Sequence, residues 1–502
     1  MNASGQLPLR WEWARLGDIC EIRREQVNPQ DKQNEKFNYL SIENIESNSG
    51  DLVNFAPTVG KDIKSSKLVF TSKDILYSKL RPYLNKVHVP TFDGVSATDL
   101  IPIRPLGGIP REYIAYFLRA RRTVDYANQK MRGIQLPRLP VDELLVLPLP
   151  VAPLPEQERI VTKLKSMFRQ SKIAKSALNK VPPLLRKFRQ SVLAAAFRGE
   201  LTEADSRDEP ASVLLERIRQ ERRRRWGEDL TAKGKDPRKY EYKEPEPVNA
   251  EGLPELPERW AWIRLEELCA TASGGTPLRS KKEYYRGKIP WLKSGELEDN
   301  VITETQETIT QLGLQKSSAK IFPKGTVLIA LYGATVGKTG MLGTDAATNQ
   351  AVCAILNNQS VVDSEYLFLY LRSKREDLLK RSFGGAQPNI SQEIIRKLEI
   401  PFCSIGEQNR VVRKIQQMFA YADRIEKSAE TARSHASQLE QSILAHAFRG
   451  ELVPQDPNEE PASVLLERIR AQRAETVKRG KFSRSRQTLL EIARPAKVSA
   501  KG

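Results

Sequence analysis

Apolar residues recur at three- and four-residue spacing over two long stretches of the chain, and that period predicts amphipathic helices. The first follows Pro155, a residue tolerated in an opening helical turn, with Glu156 and Glu158 where the helix dipole favours acids. Its stripe is Ile160, Leu164, Met167, Phe168 and Ala174; the second stretch repeats it as Val411, Ile415, Met418, Phe419, Ala422 and Ile425. Pro182-Pro183 predict a break in the first before Leu185, Phe188, Val192 and Ala195 resume the stripe toward a cap at Gly199. The second lacks those prolines, so one helix is expected from Glu407 to Phe448, capped by Gly450 and spanning about 60 Å at roughly 1.5 Å per residue. Packed together the two would form an antiparallel coiled coil that holds other modules apart. The alternative is that each stripe is the core face of its own local domain.

Upstream of each stretch the pattern shortens to β-rich runs separated by Gly, Pro, Asn and Asp. Val87-His88-Val89, Leu100-Ile101-Pro102-Ile103, Val327-Leu328-Ile329 and Ala351 to Ile355 predict strands. Tyr113-Ile114-x-x-Phe117-Leu118 and Tyr366-Leu367-x-x-Tyr370-Leu371 predict a matching pair of helices. An α+β fold follows for two modules, about Trp11 to Pro150 and Trp260 to Pro401.

The chain repeats itself. Glu209 to Arg219 (EPASVLLERIR) recurs letter for letter as Glu460 to Arg470, and Gln190 to Leu201 matches Gln441 to Leu452 except at Val192/Ile443 and Ala195/His446. Glu156-Gln157 and Phe168 pair in the same way with Glu407-Gln408 and Phe419. The modules are far less alike, sharing only anchors such as Trp11-x-Trp13-x-x-Leu16 with Trp260-x-Trp262-x-x-Leu265, Cys20 with Cys269, and Gly133-Ile134-Gln135 with Gly385-Ala386-Gln387. The organisation read from this is a variable module over 1–153, a shared helical region over 154–225, a Lys-, Glu- and Pro-rich linker over 226–256, a second module over 257–404, a second helical region over 405–475 and a basic, disordered tail over 476–502. Because the Val213 to Ile218 helix and its twin barely differ, both are expected to meet the same kind of surface, such as two copies of one partner. Leu164, Phe168, Phe197, Leu214, Leu215, Ile415, Phe419, Phe448, Leu465 and Leu466 are the candidate docking residues.

Charge changes the picture, because 81 Lys plus Arg against 62 Asp plus Glu leave +19, which favours a polyanionic partner. Lys79, Arg81, Tyr83 and Lys86 cluster in one loop of the first module, and Tyr332, Thr335 and Lys338 in one loop of the second. Arg and Lys read guanine or neutralise phosphate, and Gln and Asn pair with adenine, so Gln135, Arg138, Gln387 and Asn389 join the candidates. For each residue alone an ordinary solvated loop is an equal reading; the clusters carry the argument. Gly333 to Thr339 imitates a phosphate-binding loop but has three residues between its glycines where G-x-x-x-x-G-K-S/T needs four, so a strand-turn-strand is expected. No catalytic site and no metal site is indicated: the four cysteines are scattered without a C-x-x-C pair, and the three histidines form no cluster. With no apolar leader and no run of about 18 apolar residues, a cytoplasmic chain with no membrane partner is expected.

Leu154-Pro155-Glu156-Gln157, Ile405-Gly406-Glu407-Gln408, both FRGEL blocks, Met418 to Glu426, and Ser273-Gly274-Gly275-Thr276-Pro277 with Ile289-Pro290-Trp291 together resemble the specificity subunit of type I restriction–modification systems, over nearly the whole chain. The resemblance implies two α/β target-recognition domains separated by two long helical regions packed as an antiparallel coiled coil, with an internal pseudo-twofold repeat. It implies a non-catalytic subunit that binds double-stranded DNA, each domain reading half of an asymmetric bipartite site, and that docks two adenine-N6 methyltransferase subunits and, through them, restriction subunits. No cofactor would be bound by this chain; S-adenosylmethionine, ATP and Mg would belong to the partners. The absence of an Asn/Asp-Pro-Pro-Tyr/Phe tetrapeptide agrees with chemistry supplied by others.

Overall fold

The computed structural model describes residues 7–382 and 389–475; the basic tail and Gln387 lie outside them. The helical regions are built from α1 (Leu154–Asn179), α2 (Val181–Ala196), α3 (Ala211–Ala232) and α4 (Ile405–Ala447). The break between α1 and α2 falls at Lys180, just before the two prolines, which remove N–H donors that a continuous helix would need. α4 runs unbroken for 43 residues, roughly 65 Å at 1.5 Å per residue. A further helix covers 462–475, the twin of α3. The linker expected from Trp226 begins later than composition suggested, because α3 continues to Ala232. Ion pairs at helical spacing lead into that extension: Glu221 holds Arg224 and Arg225 just before it, and Arg224 reaches Glu228 within it.

The chain divides into two compact units that cut across both helical regions: one is Met1–Asn179 with Glu430–Gly502, the other Lys180–Ala429. In the first, two four-stranded sheets carry the module. One has the order Cys20–Ile22, Leu100–Pro105, Ile75–Ser78, Val87–His88; the other is Gln26–Val27, Lys67–Phe70, Gly94–Ser96, Tyr39–Leu40. The Leu100–Pro105 strand is central because it pairs antiparallel on both edges, Ile103 opposite Ile75 and Ile22, and its first four residues are buried. Glu12–Arg15 pairs with Pro148–Val151, closing the module at its ends. The Arg111–Arg119 helix is fastened to that closure by Tyr113, whose hydroxyl donates to the Pro150 carbonyl at 2.9 Å.

The second unit repeats the plan. Its five-stranded sheet runs Cys269–Ser273, Val352–Asn357, Val327–Ala330, Thr339–Leu342, Asn300–Ile302, beside a four-stranded sheet of Glu307–Ile309, Tyr285–Leu292, Ala346–Thr348 and Ile321–Phe322. Ala261–Arg264 pairs with Glu399–Phe402, and Tyr366 of the Ser364–Ser373 helix donates to the Pro401 carbonyl at 2.8 Å. The fold is thus α+β, two mixed modules with long helical regions.

Each module is completed by the shared block that its own tyrosine helix receives. In the first unit Phe448 sets its ring edge-on to Tyr113 and Phe117, at 5.3 and 5.2 Å, and the Ala462 N–H donates to the Arg10 carbonyl. In the second, Phe197 does the same to Tyr366 and Tyr370, at 5.2 and 4.9 Å, and Ala211 N–H donates to the Arg259 carbonyl. The C-terminal block therefore stands before the N-terminal module as the middle block stands before the second. Within each unit the helical segments run antiparallel. Arg159 binds Glu459, and further along α1 Ser171 and Lys175 reach back to Glu440; in the second unit Arg189 meets Asp423 and Glu426, and Thr202 reaches back to Glu407.

This packing corrects the docking residues. Leu164, Leu465 and Leu466 are buried in the first unit's core, with Phe168 and Phe448 packed against it. Phe197, Leu215 and Ile415 are buried in the second unit's core, with Leu214 and Phe419 packed against it. An apolar side chain already out of water has little left to gain from a partner. The near-identity of the blocks is met by two modules of one chain, and the stripes are to that extent core faces.

Candidate nucleic-acid interface

In the first module two loops meet. One leaves the Ile75–Ser78 strand and turns at Pro82–Leu84 between Arg81 and Asn85, both in the left-handed region at φ 49° and 50°. The other spans Arg132 to Arg138. The Arg81 N–H donates to the Pro137 carbonyl at 2.8 Å, the Leu139 N–H to the Lys79 carbonyl at 2.9 Å, and Leu80 and Arg132 each bridge Arg138. Lys79, Arg81 and Tyr83 are thus joined to Gln135 and Arg138, more than fifty positions away along the chain, on two linked loops, with Arg81, Tyr83, Gln135 and Arg138 exposed. Arg138 grips Asp99 through two bonds, Nε to Oδ1 at 3.0 Å and Nη2 to Oδ2 at 2.9 Å, and the Lys79 Nζ lies 3.5 Å from the same carboxylate. Burial pushes the Asp99 carboxyl up, but the Arg138 and Lys79 cations outweigh it and hold the group below the usual carboxylate range. Lys86 does not join them. Its ammonium donates to the Ile42 carbonyl at 2.9 Å, which makes it a tie between loops.

The second module builds the same junction from other residues. The Val327–Ala330 and Thr339–Leu342 strands form a hairpin whose turn carries Gly333 to Lys338, with the Gly337 N–H donating to the Ala330 carbonyl. No helix follows this turn, as a phosphate-binding loop would require. Tyr332 is exposed and Lys338 half-buried; Thr335 is buried, its hydroxyl donating to the Ser294 carbonyl at 2.7 Å, and this removes it from the candidates. The Ile390 N–H donates to the Leu331 carbonyl at 2.8 Å, which brings exposed Asn389 beside Tyr332. The Ser273 to Pro277 motif is a clasp: a Cβ at Gly274 would lie 2.0 Å from the Thr348 carbonyl, and Trp291 Nε1 donates to the Gly275 carbonyl at 3.0 Å. Arg279 lies over the Tyr285 and Trp291 rings, at 4.8 and 4.9 Å.

Two features escaped the sequence. Ile134 is 100% exposed and Leu136 half-exposed, on either side of Gln135, in a loop whose Gly133 takes φ 101°. The signal in the sequence is an apolar pair around a glutamine directly after a glycine. Asp99 carried no signal, because its partners lie 20 and 39 positions away along the chain and only the fold joins them. All four cysteines are free and buried, and burial raises the Cys269 and Cys353 thiols to about 12, which leaves them protonated and unreactive. Among the described residues no helix is long and apolar enough to cross a membrane.

A family model described as the type I restriction modification DNA specificity domain matches twice, over residues 8–182 and 257–432. The chain is similar to the type I restriction enzyme EcoDI specificity subunit of Escherichia coli, 24% identical over 487 residues that cover 94% of this chain and 97% of that protein. It is also similar to the EcoBI specificity subunit of Escherichia coli, 29% identical over 346 residues, 65% of this chain and 64% of that protein. The fold is shared with the HsdS subunit from Thermoanaerobacter tengcongensis, at a TM-score of 0.56 and 22% identity over 90% of this chain and 99% of that one. A chain solved in work on complex assembly and conformational transition of the type I R-M system shares it too, at 0.65 and 23% over 89% of this chain and all of that one. With both matches together spanning more than half its length, the chain belongs to the type I restriction–modification DNA specificity family.

Proposed function

We propose that this chain is the cytoplasmic, non-catalytic DNA-reading subunit of a type I restriction–modification complex, each module reading one half of a bipartite site in double-stranded DNA. The observation that carries the reading is the paired-loop junction. It recurs in both modules on two equivalent backbone hydrogen bonds, yet presents Arg81, Tyr83, Gln135 and Arg138 in one and Tyr332, Lys338 and Asn389 in the other. A constant frame with divergent polar tips is what reading two different half-sites requires. Two adenine-N6 methyltransferase subunits dock on the long helices, and restriction subunits join through them. S-adenosylmethionine, ATP and Mg belong to those partners.

For docking, the apolar residues left in solvent support a set different from the buried stripe. Ile173 and Leu439 in the first unit, and Leu184, Phe188, Tyr421 and Ile425 in the second, are exposed on α1, α2 and α4. The test is co-expression with an adenine methyltransferase subunit, followed by mapping of methylated adenines across a genome. A two-part motif with a fixed gap, present only with both chains, is the expected result. A stable complex without new methylation would overturn the reading in favour of a scaffold.

A further inference from the structure

The two modules differ at a place where the fold makes them equivalent. In the first, the Lys79 N–H donates to the Asp99 carbonyl and the Leu139 N–H to the Lys79 carbonyl, both at 2.9 Å. In the second, the Leu331 N–H donates to the Ala351 carbonyl and the Ile390 N–H to the Leu331 carbonyl, both at 2.8 Å. That register sets Leu331 in the place of Lys79, Ala351 in the place of Asp99 and Asn389 in the place of Arg138. A Lys–Asp–Arg cluster in one module is a Leu, an Ala and an Asn in the other.

Within the cluster the guanidinium of Arg138 is held in a defined pose. Asp99 accepts from Nε and from Nη2, and the Leu136 carbonyl lies 3.3 Å from Nη1. Of the five N–H donors of an arginine, this leaves one on Nη1 and one on Nη2. A pair of donors at the end of a guanidinium matches the O6 and N7 acceptors that guanine shows in the major groove. The side chain is 44% exposed, so that end is open to a ligand, whereas Asp99, at 19%, is largely covered. A free arginine would lose much rotamer entropy on binding a base; one already tied to a carboxylate that a lysine also holds has lost it beforehand.

Resting on the reading of this chain as a DNA-sequence reader, we propose that Arg138 reads a guanine in the half-site of the first module, with Asp99 as the positioning residue that presents its free edge. The second module, with Asn389 at the same place and Ala351 at the position of Asp99, reads a different base there. An amide suits adenine.

Selection of bound sequences from a randomised duplex library, with the purified full-length chain co-expressed with its methyltransferase subunit, tests this directly. The wild type is expected to enrich a two-part motif with a guanine at one position of one half. Arg138→Ala should lower the preference for that guanine by on the order of ten- to a hundred-fold, with the other half of the motif intact as the control for folding. Arg138→Lys should not restore it, since a point charge cannot pair bidentately. Asp99→Ala should weaken the same single position, by about three- to ten-fold, because the guanidinium edge is then unoriented rather than lost. If Arg138→Ala leaves the base preferences unchanged, or Asp99→Ala lowers enrichment evenly at all positions, Asp99 merely ties two loops and the proposal falls. A wild type that enriches no motif would sink the DNA-reading function itself, and this inference with it.

Discussion

Residues 209–219 and 460–470 are identical, yet they do not pack alike. Leu465, Leu466 and Ile469 are 4%, 3% and 1% exposed in the first unit; of their twins in the second, only Leu215 is buried, while Leu214 and Ile218 are half-buried. The cause lies in the surface opposite. In the first unit the loop before the tyrosine helix contains Gly107, at φ +64°, where a Cβ would lie 2.5 Å from the Ile469 side chain. In the second unit the corresponding loop carries Asn358, Ser360 and Val361, and a cleft of about 610 Å³ opens between it and α3, with Leu214, Ile218, Leu268 and Phe402 in its lining. An apolar pattern commits a helix to packing, but the shape of what it meets sets how much is buried.

Truncating the equivalent isoleucines should give the largest difference between the units. Ile469→Ala empties a filled site and should cost the first unit about 2–5 kcal/mol. Ile218→Ala, at the edge of an open cleft, should cost the second unit about 1 kcal/mol or less, since little new cavity is made. Hydrogen exchange resolved by segment reads each unit separately. Equal losses in both would mean that the cleft closes in solution.

Gly107→Ala sharpens the same contrast from the other side. It places a side chain at a left-handed φ and against Ile469, so a loss of about 1–3 kcal/mol is expected, confined to the first unit. Combined with Ile469→Ala the cost should be less than the sum, because the methyl then has room. Additive losses in the double mutant would show that backbone strain alone is responsible.

The helices, the break before Pro182-Pro183 and the uninterrupted second stretch were legible because period and proline act locally. So were the strands around Leu100 and Val327, whose β-branched runs reflect burial on a sheet. What covers the helical stripes was not legible. Periodicity states that a face is buried and is silent about the partner, and here Leu466 and Phe448 meet a module at the opposite end of the chain. The candidate loops were legible as clusters, since Lys79, Arg81 and Tyr83 are close in sequence, and Gln135 and Arg138 joined them through backbone bonds. Which of them are spent on the protein was not: Lys86 and Thr335 look like their neighbours until the carbonyls of Ile42 and Ser294 are in place.

A smaller difference separates the twin glutamates that open α1 and α4. Glu407 accepts a hydrogen bond from the Thr202 hydroxyl at 3.0 Å and lies 3.5 Å from the Arg410 guanidinium. Glu156 is as buried, but one oxygen accepts only from Trp11 Nε1, at 3.0 Å, and the other has no partner. Burial pushes the Glu156 carboxyl above its ordinary value, and the Trp11 donor and the nearby Arg159 cation offset only part of that. The folded first unit therefore binds this proton more tightly than the unfolded chain does. The contribution of this one group to stability is highest below the ordinary glutamate value and falls as pH rises from there through the raised value of the folded state. Glu156→Gln keeps an acceptor for Trp11 and removes the ionisation, so it should flatten this part of the pH dependence and stabilise the first unit near about pH 8, by an amount that vanishes near about pH 4. Unfolding followed by segment-resolved exchange at the two pH values checks it, with the second unit as internal reference. If the variant instead weakens the first unit at the higher pH, the ionised carboxylate is stabilised there by Arg159, and the two glutamates are equivalent after all.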